Sequence, residues 1–278
     1  MQPHRISAFS INQQGGNPAG VVIQEALPNT ESMQALATEL GYSETVFAAP
    51  IPQADTWRVR YFSPENEVPF CGHATIALGV ALAERLGAGS YPLVLNEGQI
   101  EVSGREDNGI LSAALSSPAT RSKTLSARQI TDTLALFGYT TNELDSRIKP
   151  AHIFAGADHQ VFALQDRTSL SKMDYDLEAG REFMLDNGLV TVMFVVQDSA
   201  TRFYARNAFA SGGVLEDPAT GAAAAAFMGY LRDTDQTDAS QIEILQGQDM
   251  GQSSRIQVDA TTVKGSPVVV SGAAHHLD

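Results

Sequence analysis

Several short stretches of this sequence hold residues that could move a proton or bind an anion. Glu44 stands in Tyr42-Ser43-Glu44-Thr45-Val46-Phe47, between the stop of one helix pattern and an apolar run. A glutamate buried at the start of a strand is pushed toward its neutral form and can trade protons near neutral pH. The plainer alternative is a solvated strand-end carboxylate. His73 is the first or second residue of a helix pattern, and the positive end of a helix disfavours imidazolium. A neutral ring there could relay or donate a proton; it could also be a cap bonded to backbone. Asp217 lies in Glu216-Asp217-Pro218-Ala219-Thr220-Gly221, where aspartate before proline is also an ordinary helix start. Gly72 and Gly221 open two helix patterns, the second continuing into Ala222. A first turn has unpaired N–H groups, and glycine lets a ligand approach them closely. Two such ends facing each other would bind a carboxylate without lysine or arginine. Alternatively, these glycines only permit tight turns. Cys71 reads as a small buried residue rather than a nucleophile.

The elements that must position these residues are mostly short strands. Residues 5–10, 20–24, 45–49, 57–62, 91–95 and 110–115 form one set of apolar or β-favouring runs. Residues 153–155, 160–164, 191–196, 202–206, 242–245, 256–258 and 267–270 form a second. An amphipathic helix is predicted over 30–40, capped at Thr30 and stopped at Gly41; further helices are predicted over 126–137, opening on an N-cap at Ser126 and stopping at Gly138, and over 177–186. Residues 74–86 and 222–231 differ, being apolar on nearly every side. A helix without a polar face has no solvent side, so a sheet should wrap each of them. The surroundings also repeat. Arg60 and Phe62 precede Glu67-Val-Pro-Phe-Cys71-Gly72; Arg206 and Phe209 precede Glu216-Asp-Pro-Ala-Thr220-Gly221. Both copies run from a strand into a buried helix. The expected class is therefore α+β, with two pseudo-symmetric lobes at 1–117 and 118–278. The chain crosses over near 116–126, and the last strand could return to the first lobe.

Composition narrows the partners. The 278 residues carry a formal charge of -14, and 43% are hydrophobic, enough for a sizeable core. An acidic surface repels phosphate backbones and anionic lipid, which argues against nucleic acid and membrane partners. One cysteine precludes an intramolecular disulfide and a multi-cysteine zinc site. No apolar leader or membrane-length run is visible, and a cytoplasmic protein is expected. Neither a P-loop nor G-x-G-x-x-G is present, so no cofactor is expected. The adjacent His275 and His276 cannot easily share one ion, and no metal is expected either.

Taken together, Gly16-Asn17-Pro18-Ala19, Ser43-Glu44-Thr45, Arg60-Tyr-Phe-Ser-Pro64, Cys71-Gly-His-Ala-Thr75 and Glu216-Asp-Pro-Ala-Thr-Gly221 occur in the order seen in PhzF-like phenazine-biosynthesis proteins. The resemblance spans nearly the whole chain. It implies a diaminopimelate-epimerase-like fold: two lobes, each a β-barrel around a central helix, with the site in the cleft between them. It implies a homodimer. It also implies that Glu44 moves a proton between carbons of a small carboxylate-bearing substrate, flanked by His73 and Asp217. The N–H groups of Gly72 and Gly221 would hold the carboxylate.

The sequence departs from the family pattern at Ala222, where serine is usual, and at Gln252-Ser253, where arginine and proline are usual. The ending 271–278 also differs. These departures argue against dihydro-hydroxyanthranilate as the substrate. Two other readings stay open: a racemase or epimerase with unlike bases, since Cys71 is matched by Thr220 rather than by a second thiol, and a non-catalytic ligand-binding protein that keeps the fold.

Overall fold

The computed structural model describes residues 2–96 and 98–278; Met1, where the reading for a leader begins, and Glu97 lie outside them. The chain divides into two compact units, Met1–Ser116 with Ser271–Asp278, and Ser117–Val270. The first contains β1 His4–Ala8, β2 Asn17–Ile23, α1 Thr30–Leu40, β3 Glu44–Pro50, β4 Trp57–Phe62, β5 Glu67–Val68, α2 Gly72–Leu86, β6 Gly89–Leu95, β7 Gly98–Asp107 and β8 Ile110–Ser116. The second contains β9 Arg121–Thr124, α3 Ala127–Leu136, β10 Ala151–Phe154, β11 Asp158–Ala163, α4 Arg167–Ser171, α5 Leu177–Asp186, β12 Thr191–Gln197, β13 Arg202–Ala208, β14 Glu216–Asp217, α6 Gly221–Asp233, β15 Gln241–Gln246 and β16 Ser254–Ala260. The last strand, β17 Val268–His276, begins in the second unit's residues and ends in the first's.

The two units repeat one topology. In the first, β2–β3 pair parallel, β3–β4 antiparallel, β4–β6 parallel and β6–β7 antiparallel. In the second, β11–β12, β12–β13, β13–β15 and β15–β16 repeat that alternation. Parallel neighbours need a crossover, and helices supply it in both units. The first sheet closes through β1–β17 and β17–β8, and α2 packs against β1, β2, β3, β6, β7 and β8. In the second, β9 and β10 at one edge and β16 at the other both reach α6. Each unit is thus a β-barrel around a buried helix.

Small residues make that wrapping possible. A Cβ on Gly104 of β7 would lie 2.0 Å from the Gly79 carbonyl oxygen of α2, and one on Gly229 of α6 would lie 2.5 Å from the Thr120 side chain. Outside the barrels, Met33 and Ala37 of α1 cover Phe47 and Phe62. Leu134 and Met184, from α3 and α5, belong to the cluster that covers Phe162 and Phe194.

Several local expectations are corrected. The cap of α1 is Asn29, whose side chain accepts the Ser32 N–H at 2.8 Å; Thr30 is already helical. Ser126 is the N-cap of α3, as expected, in a capping box with Gln129, and the helix itself runs Ala127–Leu136. The ten-residue β7 and the four-residue β9 were not foreseen, because most of their side chains are polar or exposed. Pairing with β6 and β8, and with β10, holds them. The strand read at 267–270 continues to His276. No described helix is long and apolar enough to cross a membrane.

Candidate active site

Three elements of the first unit bring polar groups to the start of α2. Gly16, at φ +85, turns the chain so tightly that a Cβ would lie 2.5 Å from the Ala8 carbonyl oxygen. Asn17 then opens β2, and Glu44 opens β3 two residues along in the pairing, opposite Ala19. Cys71 is the N-cap residue of α2 with no side-chain capping bond, and His73 follows in the first turn.

His73 is the hub. Its Nδ1 lies 3.2 Å from Asn17 Nδ2 and 3.3 Å from Cys71 Sγ. Its Nε2 lies 3.3 Å from Ser43 Oγ and 3.4 Å from Glu44 Oε2. The Asn17 amide donates into Nδ1, which places the ring proton on Nε2, facing the Glu44 carboxyl. Burial holds the ring's pKa below the ordinary value, opposed by the Glu44 charge. The ring is therefore neutral, as expected, but its burial rather than the helix end is the principal cause. It is not a cap bonded to backbone. Glu44 is only 9% exposed, so it is not a solvated strand end. Beneath this group, Thr75 Oγ1 donates to the Cys71 carbonyl at 2.6 Å, and the buried Tyr61 hydroxyl donates to Thr75 at 2.7 Å. Both bonds fix the turn into α2.

The second unit carries the matching junction with different chemistry. Asp217 is buried in β14, paired with Asn207, and is not the cap of α6; Thr220 is. Thr220 Oγ1 donates to Asp217 Oδ2 at 2.5 Å. Gly221 is the first helical residue, and the half-buried Ala222 follows it. Gln246, fully buried at the end of β15, donates to the Asp217 carbonyl at 2.6 Å and to Thr220 Oγ1 at 3.0 Å. Sequence reasoning assigned no role to Asn17, Ser43 or Gln246. The only signal for Asn17 and Ser43 was that they lie in the motif blocks, and Gln246 gave none.

The repeated glutamates are structural. Arg60 clasps Glu67 through two bonds of 2.7 and 2.6 Å, and Arg206 clasps Glu216 at 3.0 and 2.6 Å. Arg206 also donates to the carbonyls of Ser171 and Met173, both at 3.2 Å. These forks fix the strand-to-helix junctions in both units. Strand register extends the comparison. Phe62 pairs with Glu67 and Thr45; Ala208 pairs with Glu216 and Val192. Glu44 in one unit therefore corresponds to Thr191 in the other, and His73 to Ala222. The scaffold is duplicated, while the carboxylate and imidazole are not.

Among the described residues, Glu44, Cys71 and His73 are the one group whose ligand atoms, all within 4.8 Å, could hold a metal ion. The same atoms form the acid/base cluster, with His73 already bonded on both ring nitrogens.

Two barrels around buried helices define a diaminopimelate-epimerase-like fold, and one helix start sets a buried carboxyl against a neutral imidazole. A PhzF-family phenazine-biosynthesis protein of Bacillus anthracis has the same fold, at a TM-score of 0.87 and 22% identity, covering 100% of this chain and 98% of that one. An uncharacterised isomerase of Mesorhizobium japonicum is 30% identical over 92% of this chain and 89% of its own. The trans-2,3-dihydro-3-hydroxyanthranilate isomerase of Pseudomonas aeruginosa is 29% identical over 96% of this chain and 94% of its own. The model of the phenazine biosynthesis-like PhzC-PhzF family matches residues 6–277, and the chain belongs to that family.

Proposed function

We propose that this isomerase moves a proton between carbons of a small carboxylate-bearing substrate, with Glu44 as the group that takes and returns it. His73 and Asp217 complete the acid/base set. The backbone N–H groups at Gly72 and Gly221 receive the substrate carboxylate at the positive ends of α2 and α6, and Ala222 borders that position. No cofactor is needed for such a transfer if the abstracted proton is made acidic by the substrate's own unsaturation. The enzyme is proposed to act as a homodimer in the cytoplasm.

The observation that supports this reading best is the Glu44–His73 pair. A neutral imidazole, bonded to Ser43 through Nε2 and 3.4 Å from the Glu44 carboxylate, sits beside it without the cost of a second buried charge, and the carboxyl remains able to accept a proton. The direct test is solvent exchange. In heavy water, the protein should place deuterium in trans-2,3-dihydro-3-hydroxyanthranilate or another small unsaturated acid from a screened panel. Glu44→Gln should slow the incorporation about 10²–10⁴-fold. Incorporation that persists undiminished in the variant would refute the assignment.

Epimerisation with unlike bases is a second reading, favoured by Cys71 Sγ lying 3.3 Å from His73 Nδ1. It predicts loss of optical activity in a chiral substrate together with α-hydrogen exchange. A positional isomerase would change the ultraviolet spectrum instead.

A further inference from the structure

The hydrogen bonds around Asp217 continue into the second barrel as one directed chain. Its polarity is fixed by the backbone. Gln246 Nε2 donates to the Asp217 carbonyl at 2.6 Å, and Oε1 accepts the Thr220 N–H at 3.3 Å, so the amide has one orientation. Oε1 must then accept from Asn207 Nδ2 at 3.1 Å, and Nε2 must donate to Thr220 Oγ1 at 3.0 Å. With its amide committed as donor, Asn207 accepts from Thr191 Oγ1 at 3.0 Å. Thr191, having given its proton, accepts from His159 Nδ1 at 2.8 Å. At the other end Thr220 has one proton to give, and it goes to Asp217 Oδ2 at 2.5 Å.

Every link points toward the Asp217 carboxyl, and His159, Thr191, Asn207, Gln246, Asp217 and Thr220 are all buried. Aligned hydrogen bonds polarise one another in a low-dielectric interior. The chain is braced where it meets the loop before α6. Gly247, at φ +76, sits so close to that loop that a Cβ would lie 2.8 Å from the Pro218 carbonyl oxygen. In the first unit the position of Thr191 is taken by Glu44, so this chain belongs to one unit only.

We propose that Thr220 and Gln246 are positioning residues for Asp217. The Thr220 hydroxyl, aimed by Gln246 and Asn207, fixes one carboxyl oxygen as an acceptor, so that Asp217 enters the reaction in one orientation. This rests on the reading above that Asp217 takes part in the reaction.

The test uses the full-length chain with aspartate carrying carbon-13 at the side-chain carboxyl, the Asp217 signal being assigned by its loss in Asp217→Asn. Thr220→Val keeps the shape and removes the hydroxyl; Thr220→Ser keeps the hydroxyl. Thr220→Val and Gln246→Met should both move the Asp217 signal at pH 7, whereas Thr220→Ser should leave it in place. With the acid from the panel above that the wild type labels in heavy water, Thr220→Val should lower kcat roughly tenfold or more, with KM within about twofold, and Thr220→Ser should retain it. An Asp217 signal that ignores Thr220→Val would overturn the proposal. So would a Thr220→Val protein that loses only melting temperature and keeps kcat. If Gln246→Met does not fold, the threonine pair alone decides. Full turnover by Asp217→Asn would overturn the catalytic reading of Asp217, while the carbon-13 comparison would still judge the hydrogen-bond chain.

Discussion

His159 should make this protein acid-sensitive. The side chain is completely buried, and burial pulls its pKa from 6.5 to about 3, with the Asp158 charge opposing and His152 reinforcing the shift. Its Nδ1 gives its proton to Thr191, and Nε2 has no hydrogen-bond partner that could stabilise a charge. Below pH 6.5 the unfolded chain takes up a proton at this position and the native chain does not, so stability falls as pH falls. From the two pKa values, the loss is roughly 2 kcal/mol between pH 7 and pH 5, rising to roughly 4 kcal/mol at pH 3. His159→Gln keeps an N–H donor for Thr191 and cannot titrate. Urea unfolding of both proteins at pH 7, 6 and 5 should show the wild type losing its advantage, with the gap shifting by roughly 2 kcal/mol toward the variant. His73, also held neutral by burial, adds acid sensitivity of the same sign to both proteins and cancels in the comparison. Parallel curves, with a constant gap from pH 7 to pH 5, would refute the buried neutral histidine.

Gly104→Ala places a Cβ 2.0 Å from a backbone oxygen of α2 and should cost about 3 kcal/mol, seen as a fall in the thermal midpoint; an unchanged midpoint would contradict the tight barrel-to-helix contact. Glu216→Gln leaves Arg206 as an uncompensated charge with side chains 13% and 6% exposed, and should cost about 3–5 kcal/mol in denaturant unfolding. Glu67→Gln, in the wetter pair at 19% and 25%, should cost about 1 kcal/mol or less; equal losses would show that the two clasps are not graded by burial. Ala222→Ser should fold with an unaltered melting point, because Ala222 is half-buried in the first turn of α6, and should change the affinity for carboxylate ligands in calorimetry. No change with any ligand would place Ala222 outside the pocket.

What could be read in the sequence was whatever depends on pattern. Helices without a polar face at 74–86 and 222–231 pointed to sheets wrapped around them, and the repeated E-x-x-x-(C/T)-G pointed to a duplication. Both are properties of many residues at once. Polar strands such as Arg121–Thr124 carry no such pattern, since their place comes from the neighbouring strand. Site detail was less legible. Glu44 and His73 meet at 3.4 Å because a parallel strand pair and a helix start converge, a distance no spacing encodes. Asp217 followed by Pro218 looked like a helix start, yet the chain spends three more residues in the turn before Gly221 begins the helix. Gln246 gave no sign of its importance, because a glutamine near a glycine is ordinary until the strand that carries it ends against Asp217.

The central claim is that Glu44 carries the proton, and replacing its carboxyl by an amide of the same size tests it most directly. Glu44→Gln should keep the wild-type melting temperature and still bind a carboxylate ligand. In heavy water it should incorporate deuterium into the substrate about 10²–10⁴-fold more slowly than the wild type, as expected for loss of an essential general base. A variant that melts lower but exchanges deuterium at the wild-type rate would show that Glu44 supports the fold and that the proton moves elsewhere.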